Sequence, residues 1–103
     1  MPEVVRGDTK KFQVTIRDTD GNLVDPDSIA LTLIKEEASD SPVGPLAGEK
    51  ASMGVWFVVM TIPNGLTLGD WVRDWVWYIA GRPNRYQSLV KVNDLTERVL
   101  SFE

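Results

Sequence analysis

Trp71-Val72-Arg73-Asp74-Trp75-Val76-Trp77-Tyr78-Ile79-Ala80 admits two readings, and the choice between them sets the fold class. As a helix it aligns Trp71, Trp75 and Ile79, with Val72 and Val76 beside them and Asp70 as a fair N-cap. As a strand it puts Trp71, Arg73, Trp75, Trp77 and Ile79 on one face and Val72, Asp74, Val76 and Tyr78 on the other. The density of Val, Trp and Tyr favours the strand, because branched and aromatic side chains fit a pleated surface. Gly81-Arg82-Pro83-Asn84 then reads as a hairpin loop. Arg85 to Asn93 is the return strand, with Tyr86, Ser88, Val90 and Val92 alternating against Gln87, Leu89 and Lys91.

The same period of two runs through the rest of the chain. In Lys11–Arg17, Phe12, Val14 and Ile16 face one way while Gln13, Thr15 and Arg17 face the other, as in a half-buried strand. Asp20-Gly21 marks a turn, Asp25-Pro26-Asp27 a break, and Ser28–Lys35 a second strand. Gly54–Ile62 is apolar on both faces, which suggests a central strand or one with a face kept for a partner. Between them, Glu36–Ser52 is rich in acids, Ser, Pro and Gly and reads as a long, mobile connection, with room for a short strand that the pattern does not place. Leu95–Phe102 reads as a short last element, strand or tail. Five or six strands without a long helix predict one domain over residues 1–103: all-β, a small antiparallel β-sandwich.

Composition excludes most chemistry. The chain has 103 residues, 43% of them apolar, and neither Cys nor His. Disulfides, thiolate metal sites, cysteine nucleophiles, triads and imidazole bases are thereby absent. Eleven Lys and Arg against fifteen Asp and Glu give a net charge of −4, which argues against a nucleic-acid binder. The longest apolar run, Val55 to Met60, is too short to cross a bilayer. No signal peptide is visible in Met1–Arg6, so synthesis in a cytoplasm is expected, with later incorporation into a particle left open. No enzyme, metal or cofactor is expected.

Several clusters invite a sharper reading. Asp18, Asp20, Asn22, Asp25 and Asp27 have part of the spacing of a calcium loop, but Gly21 stands at loop position four and no Glu closes position twelve. A turn explains them better. Arg6-Gly7-Asp8 spells an adhesion tripeptide, which recurs by chance and here precedes the first clear strand. Asp70 and Asp74 share a strand face, with Asp20 and Glu97 elsewhere, and nothing in their spacing selects glycosidase chemistry over surface charge. The four Trp are the most informative feature. Trp71, Trp75 and Trp77, with Arg73 among them, either fill the core or form a contact surface with Trp56 and Phe57 behind them. A third use, stacking on sugar rings, would make the chain a carbohydrate-binding or cell-surface adhesion module.

Arg6-Gly7-Asp8-Thr9-Lys10-Lys11-Phe12, the turn Asp20-Gly21-Asn22-Leu23-Val24-Asp25, the pair Gly69-Asp70-Trp71-Val72 with Asp74-Trp75, and the return strand Ser88-Leu89-Val90-Lys91-Val92 come in a familiar order. Together they resemble the small immunoglobulin-like β-sandwich proteins of tailed phages and prophages, nearest the amino-terminal domain of the baseplate upper protein family. Arg73 departs from that pattern, which places Tyr or an apolar residue there. The resemblance implies an immunoglobulin-like fold, no catalytic residues, and a structural or adaptor role with partners among virion proteins or copies of itself. Trp71, Arg73, Trp75, Trp77, Trp56 and Phe57 are the expected partner-binding residues.

Overall fold

The computed structural model describes residues 3–35 and 41–94. It contains eight strands: β1 (Glu3–Val5), β2 (Thr9–Thr15), β3 (Ser28–Ile34), β4 (Val43–Ala47), β5 (Glu49–Ser52), β6 (Val55–Thr61), β7 (Gly69–Ile79) and β8 (Arg82–Asn93). There is no helix among the described residues. One sheet has the order β1-β8-β7-β3-β4 and the other β2-β6-β5. All neighbours are antiparallel except β1 and β8, which run parallel. The fold is thus all-β, with two sheets packed as in a β-sandwich.

The decisive segment is a strand, and its partition of faces is the one its alternation dictates. Trp71 and Trp75 point between the sheets and join Ile29, Leu31 and Leu33 of β3, Val90 and Val92 of β8, Phe12 and Ile16, and Val58, Met60 and Ile62 in one core. β6 lies at the centre of its sheet, between β2 and β5, as its two apolar faces suggest. From the apolar area this core removes from water comes most of the stability of a domain this small.

Three expectations are corrected. The stretch 36–52 is not simply a connection: it holds β4 and β5, while residues 36–40 lie outside the described residues. These two strands carry no alternation because both are short edge strands whose side chains are mostly exposed, so backbone pairing alone defines them. Between them the chain changes sheets. Gly48 N–H still donates to Ile29 O in the larger sheet, while Glu49 already pairs with Phe57 in the smaller. Secondly, the β7–β8 loop is the two residues Ala80-Gly81, and Arg82, Pro83 and Asn84 belong to β8 opposite Ile79, Tyr78 and Trp77. Both turn residues have positive φ, 52° and 77°, the geometry that follows strand twist in a two-residue hairpin. Pro83 is compatible with a strand here because, among the described residues, β8 pairs on its outer side only at Lys91–Asn93. Thirdly, Glu3–Val5 forms a strand that the sequence did not signal. The last expected element, Leu95–Phe102, lies outside the described residues.

Candidate functional site

The six expected contact residues do not form one surface. Trp71 and Trp75 are buried, at 0% and 2% exposure, so no partner of the folded chain reaches them. Their aromatic area is consumed by the core, the alternative use that the sequence had left open. Arg73 lies between them on the same inner face, its guanidinium 5.8 Å from the centre of the Phe12 ring. Burial pushes its pKa below the ordinary arginine value, an effect opposed by Tyr86 nearby. It stays charged all the same, since arginine starts so high. Phe57 stands on the opposite side of the molecule, on the outer face of the smaller sheet, beneath Lys11 Nζ at 4.5 Å.

Trp56 is partly buried and held in place by Asp25. One Asp25 oxygen accepts hydrogen bonds from Gly54 N–H (2.9 Å) and Trp56 Nε1–H (3.3 Å), and the other accepts from Lys50 Nζ (2.6 Å). The Lys50 hydrogen bond and then the Gly54 amide hold the Asp25 carboxyl below its ordinary value against the opposing effect of desolvation. A carboxylate with a depressed folded-state pKa stabilises the fold above its unfolded pKa and ceases to do so as pH falls through the folded value. Wild type is therefore expected to exceed Asp25→Asn in stability at neutral pH, with the gap closing below about pH 4. Urea unfolding of both proteins over a pH series measures that gap.

The other acids of that cluster serve the backbone as well. Asp18 accepts from the amides of Asp20 and Asn22, both at 2.9 Å, and Asp27 from Gly81 N–H at 3.4 Å. Arg17 caps the same turn by donating to Gly21 O. No group of three or more acidic side chains that could hold a metal ion occurs among the described residues. Arg6 of the adhesion tripeptide donates to Leu66 O and pairs with Asp94 at 2.9 Å, so it ties the base of the sandwich together. Asp74 lies on the outer face of the larger sheet, only 6% exposed, and one of its oxygens receives both Arg85 Nε (3.1 Å) and Gln87 Nε2 (3.2 Å).

Trp77 borders an open cleft. Its ring and that of Tyr86 form one wall, and Gln13 through Arg17 form the other, enclosing about 500 Å³. A second hollow of about 320 Å³ shares Arg17 and Trp77 with it and reaches Ile79, Arg82 and Asn84 near the hairpin end. On the outer face of the larger sheet a third hollow, about 430 Å³, is lined by Ala30, Pro45, Ala47, Val76 and Tyr78. Sequence reasoning missed Tyr86 as a cleft residue. Alternation puts Tyr86 on the face of Ser88, Val90 and Val92, but its exposure there, at 54%, has no signal in the sequence.

Comparison with family models, with curated proteins and with solved structures finds no match to this chain.

Proposed function

We propose that this chain is a non-enzymatic protein-interaction module with an immunoglobulin-like topology. The strand order supports the topology: β2, β6 and β5 correspond to strands B, E and D of such a sandwich, and β8, β7, β3 and β4 to G, F, C and C′. One observation carries the interaction reading. Of the nine large hydrophobic residues exposed among the described residues, four (Tyr78, Ile79, Tyr86 and Leu89) lie on the β7–β8 hairpin. Along that hairpin the outer edge of β8 from Arg82 to Val90 has no strand beside it among the described residues. Exposed aromatic area next to unpaired backbone is what protein docking uses. The resemblance in sequence order supports a more specific role, a structural or adaptor component of a tailed-phage or prophage particle.

Cleft geometry gives carbohydrate recognition a definite alternative form, with Trp77 and Tyr86 as stacking platforms and Asn84, Arg82 and Arg17 as polar contacts. Light scattering after size exclusion, alone and with the products of neighbouring genes, separates the two readings. Association is expected, and Tyr86→Ala should weaken it about tenfold or more while leaving the melting temperature nearly unchanged. Glycan-array binding lost in Trp77→Ala, by a chain that associates with nothing, would overturn the interaction reading.

A further inference from the structure

The smaller sheet stops at β2. Five strands face three, and among the described residues nothing pairs the outer edge of β2. What that edge offers follows from the ladder. Ile16 N–H donates to Gly54 O at 2.7 Å, and Ile62 N–H to Asp8 O at 2.8 Å. With Phe12 opposite Val58, the even-numbered residues are the ones bonded toward β6. Alternation then turns the amides and carbonyls of Thr9, Lys11, Gln13 and Thr15 outward.

Beside this edge lies the cleft walled by Trp77 and Tyr86, inner-face residues of the larger sheet, Trp77 partly buried against the core and Tyr86 exposed. Another strand placed next to β2 would carry alternate side chains over those rings. Immunoglobulin-like sandwiches have a strand A in that place, beside B. Here the first strand, β1, pairs with β8 instead, and among the described residues no strand lies beside β2 on that side.

Charge selects the occupant. From Thr9 to Arg17 the edge carries no acid, and on the face turned away from the core it presents Lys11 and Arg17.

We propose that an extended, acidic segment of a partner protein adds to the outer edge of β2 as a fourth strand, with its apolar side chains over Trp77 and Tyr86 and its carboxylates against the cations of that edge. Main-chain hydrogen bonds supply affinity in such an addition, and the alternating pockets and charges supply specificity. The inference rests on the interaction-module reading and names its partner chemistry.

The test titrates the full chain with a synthetic peptide that alternates valine with glutamate, read by amide spectra and hydrogen exchange. Exchange at Lys11, Gln13 and Thr15 should slow about tenfold or more at saturation. A valine–lysine peptide should bind about tenfold more weakly or worse. Gln13→Pro should abolish binding at an unchanged melting temperature, since the lost N–H faces outward and no bond to β6 is broken. Should Gln13→Pro fail to fold, Lys11→Glu provides the second measurement: it should reverse the preference between the two peptides. Slow exchange at Lys11, Gln13 and Thr15 in the peptide-free monomer would mean the edge is already paired, and overturns the proposal. Concentration-dependent dimerisation abolished by Gln13→Pro would make a second copy the occupant, and also overturns it. Silence of both peptides, with association through the hairpin that is insensitive to Gln13→Pro, overturns the fourth strand and leaves the interaction-module reading standing.

Discussion

Trp71→Ala is expected to lower the unfolding free energy by about 3–5 kcal/mol, and Trp77→Ala by about 1 kcal/mol or less. Both residues sit on β7 and point to the same face, so the contrast isolates burial from residue type. Trp71 is 0% exposed, packed opposite Val90, and its indole Nε1–H donates to Thr67 O at 2.8 Å. Alanine there opens a cavity between two sheets, and strands hydrogen-bonded on both sides cannot close in to fill it. Trp77 borders the open cleft, so its removal widens a hollow that water already enters. For a domain whose whole stability is of order 5–15 kcal/mol, the first change threatens folding at moderate temperature and the second does not. Urea unfolding followed by circular dichroism measures both, since tryptophan fluorescence would itself change with the substitution. Equal losses would mean that the cleft is closed in solution.

The alternation of residues 71–79 was legible because one face meets a core: a shift of one residue would have exposed Trp71 and Trp75. What the alternation could not give is where each inward residue stands relative to the opposite sheet. Trp71, Trp75 and Trp77 are equivalent in the sequence, and their different exposure arises because the smaller sheet covers the first two fully and leaves the third, packed at the margin of the core, partly open to a cleft. The sheet order that decides this is a long-range property of the chain. Edge strands were illegible for a related reason. β4 and β5 are defined by bonds to β3 and β6, and their own residues, Val43–Ala47 and Glu49–Ser52, show no buried face to read. Asp25 reads in the sequence only as one of four acids in a cluster of five polar residues. That it binds Lys50, Gly54 and Trp56 together, at separations of 25 to 31 residues, has no local trace.

Gly54→Ala should cost about 2–4 kcal/mol, although it adds a single methyl group. Gly54 has φ = 71°, where a residue with a Cβ carries an intrinsic penalty of about 1–2 kcal/mol. The added carbon would also stand 2.9 Å from Ile16 O and 3.0 Å from Leu23 Cβ, closer than carbon packs in a folded protein. Retreat is blocked on both sides, since Gly54 N–H is bound to Asp25 and Gly54 O accepts from Ile16 N–H. Relieving the clash therefore disturbs the Asp25 knot, the β5–β6 turn and the end of β2 at once. Gly21→Ala supplies the control: φ there is 87°, and its added carbon meets nothing within 4 Å. It should show the backbone penalty alone, so the difference between the two variants measures the clash. Equal losses would mean that Leu23, which is exposed, and the Ile16 carbonyl both give way, and that this end of β2 is softer than its hydrogen bonds imply. In that case the Trp77–Tyr86 cleft, whose opposite wall is residues 13–17, would be able to change width on binding.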